Sequence, residues 1–241
     1  MNISDQCKKE ILEHGILMNG NTPAGHKLMS LPTMKIAIVE NEFPPELMTP
    51  EFSAFIKRKK GWDIGKPDNF PEGIEGVIRR GIGFWYNGNI KFVPINQNPD
   101  LKILAFDSKA NIGGFASFPK NDIVDWLSEP VLGINMDAQR FMQKYTVTSK
   151  FTLLEKIQDT ITHEFGHSIG ILHTNETFSD IKQKSQNACF SDKNSTLGQQ
   201  FAKSHMINLS SGISKSSDID VLFREAIRNG CPNFECNPLR N

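Results

Sequence analysis

Three histidines and one glutamate stand in His163-Glu-Phe-Gly-His167-Ser-Ile-Gly-Ile-Leu-His173, at spacings that suit a catalytic zinc ion. At 3.6 residues per turn, His163 and His167 lie one turn apart on one helix face, so both imidazoles can reach the same ion. Glu164 falls roughly 100° around from His163, beside the ion rather than on it. A carboxylate there can act on a water held by the metal. Gly170 can take a positive φ, which would end the helix and turn the chain so that His173 returns as third ligand. The fourth position stays open for water, as in catalytic rather than closed structural sites.

The helix that must carry the first two ligands is also readable. Thr152-Leu-Leu-Glu155 has the form of a capping box, in which Thr152 accepts from the amide at Glu155 and Glu155 reaches back. Leu154, Ile157, Ile161, Phe165 and Ile169 follow at helical spacing as one apolar stripe. Burying that stripe would keep the helix rigid and fix the angle between the two imidazoles.

Around this helix the pattern predicts a mixed α+β fold. Residues 34–39, 90–93, 101–106 and 131–136 alternate or are rich in β-branched side chains and read as strands. Residues 90–93 and 101–106 read as joined by a polar turn at 96–100. Residues 113–119 read as an edge strand, because Pro119 cannot donate to a ladder. Residues 72–85 carry Ile74, Val77, Ile78, Ile82 and Trp85 at helical spacing, despite interior glycines. Residues 1–33 read as a polar N-terminal extension, a pro-segment or its remnant, with a short helix at 8–17 and a loop at 19–25. Another short helix is expected at 51–59. Beyond His173 the polar composition predicts mostly loop through about residue 203, then a capped helix at 216–228 with Ile219, Leu222, Phe223 and Ala226 on one face and Gly230 as terminator. The expected organisation is the extension, then a catalytic domain over 34–241 divided into an upper part (34–170) and a small, mostly irregular lower part (171–241) that ends in a helix.

Composition narrows the function. The 241 residues are 38% hydrophobic, enough for a full core, and 27 Lys and Arg balance 27 Asp and Glu. A zero formal charge offers no basic excess for nucleic acid or an anionic membrane surface. No stretch approaches the roughly 20 apolar residues of a membrane span, and the first residues lack the apolar core of a signal peptide. The four cysteines, Cys7, Cys189, Cys231 and Cys236, are few for a disulfide scaffold. Cys231 and Cys236 could close a small loop, Cys189 could pair with either, and Cys7 reads equally as a free thiol.

At these residues the chain resembles the metzincin zinc endopeptidases, and within them the matrixin (matrix-metalloproteinase-like) catalytic domain. His163–His173 is close to the matrixin H-E-F-G-H-S-[LI]-G-L-x-H. Phe84-Trp85, the 90–93 and 101–106 strands, Gly114-Phe-Ala-Ser-Phe-Pro119 and Asp218-Ile-Asp-Val-Leu-Phe223 resemble further segments of that domain, so the likeness runs from about residue 34 to 228. It implies a zinc-dependent peptidase with one catalytic Zn²⁺ on His163, His167 and His173, and Glu164 as catalytic base. It implies a methionine turn under the metal, for which Met206 is the candidate after His173, and peptide substrate lying along Gly114, Phe115, Ala116 and Ser117. It further implies a secreted, monomeric protein acting on protein or peptide, with no nucleic-acid or membrane partner. A structural Ca²⁺ is compatible with this reading, but no motif in the sequence supports one.

Departures are equally plain. Thr174 follows the third histidine, where matrixins carry Ser and astacins Glu. Ile207-Asn208-Leu209 stands where matrixins continue into a Pro-x-Tyr pocket wall. Cys7 lacks the P-R-C-G context of a zinc-capping cysteine, and His205 beside Met206 reads as structural. Two alternatives share the motif: a delivered toxin or effector protease with a single host-protein target, and an inactive homologue that binds zinc and cuts nothing.

Overall fold

The structure, a computed structural model, describes residues 4–39, 43, 45–47, 50, 58–59, 62, 65–66, 68, 70–110, 112–119, 130–145, 150–184, 189, 195–207 and 217–230. In chain order the elements begin with helix α1 (Asp5–Gly15), strands β1 (Met18–Asn19) and β2 (Thr22–Pro23), helix α2 (His26–Met29) and strands β3 (Thr33–Val39) and β4 (Arg58–Lys59). Helix α3 (Ile74–Gly83) precedes β5 (Asn89–Phe92), β6 (Leu101–Asp107), β7 (Gly114–Ala116) and β8 (Val131–Asn135). Five helices close the chain: α4 (Met136–Tyr145), α5 (Lys150–Ser168), α6 (Thr174–Lys184), α7 (Ser195–Lys203) and α8 (Asp218–Asn229). The residues group into two compact units, one of Met1–Ser30, Pro119–Val124 and Ile169–Asn241, the other of Leu31–Phe118 and Asp125–Ser168.

The second unit is a mixed sheet with helices. Its strand order is β5-β3-β6-β8-β7, with two-residue β4 also paired to β6. β5, β3, β6 and β8 run parallel, while β7 is antiparallel to β8 at the end of the order. Every residue of β6 and β8 is buried, as expected of parallel strands covered on both faces. The expected edge strand is therefore present as β7. The expected turn joining residues 90–93 to 101–106 does not make them neighbours, because β3 lies between β5 and β6 and pairs in parallel with both. The connection is pinned to β3 where the Lys35 amide donates to the Asp100 carboxylate at 2.7 Å.

Helix α5 packs against α3, and the whole apolar stripe at Leu154, Ile157, Ile161 and Phe165 is buried. Gly81 explains a glycine that helix propensity alone disfavours: a Cβ there would lie 2.7 Å from Ile161 Cγ2. Trp85 Nε1 donates to the Thr162 carbonyl at 2.8 Å and Thr162 Oγ1 donates to the Gly81 carbonyl at 3.1 Å, locking the two helices together. α5 begins at Lys150, so Thr152 sits inside its first turn rather than at the cap. Helix α4, which the sequence reading passed over, stands between β8 and α5.

The first unit corrects several expectations. Within the stretch expected as an extension over 1–33, the short helix expected at 8–17 is present as α1, which buries Cys7, Ile11 and Leu12 in contact with α6 and α8. Where loop was expected after His173, α6 and α7 form, so the described residues of the lower part are mostly helical rather than irregular. These helices bury small faces, Thr174, Thr177 and Ile181 on α6 and Leu197 and Phe201 on α7, with Phe178 and Phe201 rings 5.2 Å apart. The closing helix matches its expectation, with Ser217 as N-cap accepting from Asp220 N and Gly230 at φ 63° as terminator. Cys7 is neither free nor a metal cap: it forms a disulfide with Cys189. Cys231 and Cys236 lie outside the described residues, as does residues 51–57 of the helix expected at 51–59, whose last two positions form β4.

Candidate metal centre

His163 and His167 project from the last two turns of α5, their rings 4.8 Å apart at 89°. The Phe118 ring lies 5.0 Å from that of His167, which is only 6% exposed. α5 then stops at Ser168, and Gly170 takes φ 89° as the spacing predicted. A left-handed residue here costs a Cβ-bearing side chain energy and costs glycine little. Three residues later His173 precedes the first residue of α6, and its carbonyl accepts from Thr177 N at 3.0 Å and Thr177 Oγ1 at 3.1 Å. Within these eleven consecutive residues, one ligand atom from each of His163, His167 and His173 lies within 4.8 Å of the other two.

That spacing fits a metal ion. Tetrahedral zinc with nitrogen ligands at about 2.0–2.1 Å holds those nitrogens about 3.4 Å apart, so shifts of about an ångström would converge the three rings. Among the described residues this is the one group of three His, Cys, Asp or Glu side chains so placed, and no calcium-type acidic cluster accompanies it. Three imidazoles suit zinc, copper, iron or nickel rather than calcium or magnesium. Glu176, which the sequence reading missed, lies with its Oε1 3.3 Å from His173 Nδ1. A carboxylate on one ring nitrogen favours the tautomer that presents the other to a metal. Its sequence signal was an acidic residue in the first turn of an unrecognised helix.

Met206 is fully buried in a tight turn. Its carbonyl accepts from Thr174 N at 2.9 Å, so this turn is tied to the residue after the third histidine. The turn is organised by Asp220 of α8, itself buried: Asp220 accepts from Ser204 Oγ at 2.5 Å and from His205 N at 3.1 Å, with His205 Nδ1 3.0 Å away. Ser204 Oγ in turn accepts from Met206 N at 3.0 Å. His205 is thus held by Asp220, in keeping with a structural part. The pocket-wall residues from Asn208 onward lie outside the described residues.

Glu164 is 7% exposed, and burial pushes its carboxyl up to about 8. A dication beside it would act in the opposite direction. The carboxylate lies against β7: a Cβ on Gly114 would stand 2.9 Å from Glu164 Cγ and 3.0 Å from Oε1. The edge strand and the acid are therefore neighbours. Phe115 stacks toward Phe106, with ring centroids 5.3 Å apart, and Ala116 is half-buried opposite Leu132. Ser117 is turned toward β8, its amide donating to the Val131 carbonyl at 2.9 Å and its Oγ accepting from Val131 N at 2.8 Å.

No protein-family model matches the chain, and no curated protein matches it. Among solved structures, "GM1 bound form of the ECX AB5 holotoxin" aligns at 12% identity and TM-score 0.38, over 66% of this chain and 59% of that one. The chain thus spans about three-fifths of that neighbour's length. "Structure of myroilysin" aligns at 13% identity and TM-score 0.38, over 81% of this chain and 92% of that one. Similarity of that order carries no argument about activity, so the residues themselves must.

Proposed function

We propose that this chain is a zinc-dependent endopeptidase of the metzincin type, matrixin-like in its motif. The observation that carries the proposal is the His163, His167 and His173 cluster with ligand atoms within 4.8 Å, next to a buried acid at Glu164. Zinc held there would polarise a scissile carbonyl and acidify a water. The Glu164 carboxylate takes the proton of the attacking water and delivers it to the leaving amine nitrogen. An extended peptide lies along β7 at Gly114–Ser117, where Gly114 brings that strand against Glu164 and Ser117 keeps its amide on Val131 of β8. Gly170 and Met206 serve as supports, the first by turning the chain and the second through its carbonyl on Thr174 N.

Glu164 favours an enzyme over a protein that only stores metal, because three imidazoles hold an ion without it. Burying an acid that is not a ligand costs stability, which suits a catalytic use. The Cys7–Cys189 disulfide suits an oxidising compartment and so a secreted protein. The remaining proposals are a protein or peptide substrate, a monomer, and neither nucleic acid nor membrane as partner, in line with the balanced charge.

The test is Glu164→Ala. Metal analysis should find one zinc per chain in both parent and variant, while peptide cleavage falls at least about 10³-fold, within the range general-base catalysis supplies. Full activity in the variant would overturn the assignment.

A further inference from the structure

We propose that Gly15–Leu17, at the end of α1, are positioning residues for the third metal ligand: they hold the Gly170–Leu172 turn that carries His173, and the Cys7–Cys189 disulfide anchors them. The inference rests on the metal-centre reading above and adds a part of the chain that the zinc motif does not contain.

The turn between the second and third ligands takes its main-chain partners from the N-terminus. Leu17 N donates to the Gly170 carbonyl at 2.8 Å, and Leu172 N donates to the Gly15 carbonyl at 2.9 Å. Ile16 and Ile171 form an antiparallel bridge between these two bonds, and both are buried. Unpaired, buried main-chain groups in this turn would each carry a desolvation cost, so the pairing specifies one conformation for the residues just before His173.

Gly15–Leu17 are themselves fixed at several points. The position a Gly15 Cβ would occupy is filled by Phe223 Cζ at 2.5 Å and Thr177 Cγ2 at 3.3 Å, so α1 meets α8 and α6 without space for a methyl group. Thr177 Oγ1 lies 3.4 Å from the His14 carbonyl. At the other end of α1, Cys7 is bonded to Cys189 across 182 residues of sequence. α1 is therefore tied at its first turn by a covalent bond and at its last by the backbone ladder to the ligand turn.

The experiment measures metal binding in the full chain, using Gly15→Ala, the double variant Cys7→Ser with Cys189→Ser, and Gly230→Ala. The last lowers stability in the same unit, through a left-handed position at φ 63°, without touching the ligand turn. Zinc affinity comes from competition with a chromogenic chelator, site symmetry from the visible absorption of Co²⁺-loaded protein, and turn integrity from amide exchange at Leu172. The expected result is zinc binding about tenfold weaker or more in the first two variants, as for lost outer supports of a metal site. Their Co²⁺ spectra should also change and Leu172 should exchange faster, while Gly230→Ala stays within about twofold of the parent in zinc affinity. If Gly15→Ala fails to fold, the cysteine double variant, which leaves Gly15–Leu17 intact, decides. Parental zinc affinity and parental Leu172 exchange in that variant would overturn the inference alone. A parent chain that binds no stoichiometric zinc would overturn the metal-centre reading and this inference with it.

Discussion

The first two histidines of the cluster and the third stand only six positions apart, yet they are held by different means. His163 and His167, with Glu164 between them, ride on one helix whose buried stripe at Leu154, Ile157, Ile161 and Phe165 fixes it locally. His173 sits at a turn whose support comes from Gly15–Leu17, from the Met206 carbonyl on Thr174 N, and from Glu176 on its own ring. Regular secondary structure sets the relative geometry of two residues at i and i+4 almost by itself. A residue beyond a helix stop is placed only by what the rest of the chain brings to it.

That contrast can be broken in two places. The larger effect is expected on the helix side, where Gly114→Ala would set a methyl group 2.6 Å from the Gly133 carbonyl of β8 and 2.9 Å from Glu164 Cγ, shifting the strand and the acid against each other. Peptide cleavage should fall about 100-fold, a typical cost of misplacing a catalytic group by about an ångström, with zinc content unchanged. Unaltered kcat/KM in Gly114→Ala would mean that β7 does not constrain the acid. On the turn side, Glu176→Gln keeps the side chain's size and removes its charge. Zinc affinity should weaken about tenfold or less, toward the low end for such partners because Glu176 is 62% exposed. If competition titration shows a loss as large as that for His167→Ala, Glu176 would have to be a ligand rather than an orienting partner.

The same contrast decides what was legible in the sequence. α5, its buried stripe, the Gly170 stop and the edge position of β7 follow from periodicity and from glycine and proline chemistry acting over a few residues. The support of His173 did not. α6 and α7 bury narrow faces built partly of threonine, so their polar composition resembled loop. α4 was missed because its start at Met136 follows β8 without an intervening breaker. The pairing of Cys7 with Cys189 spans 182 residues, and spacing cannot choose among cysteines at that distance. The β5 and β6 strands are close in sequence but flank β3, because their polar connection bonds to β3 at Lys35 and Ile36 rather than closing a hairpin. Asp220 gave no local sign of its work either, since the turn it organises begins 16 residues earlier at Ser204.

We propose that His163, His167 and His173 hold a zinc ion and that the site so formed serves peptide-bond hydrolysis. The most direct test is incubation of the zinc-loaded full chain with a mixed peptide library, with and without a zinc chelator. Cleavage should stop when the chelator is added and return with one equivalent of zinc. Cleavage that continues with the metal stripped, or no cleavage at one bound zinc per chain, would contradict it.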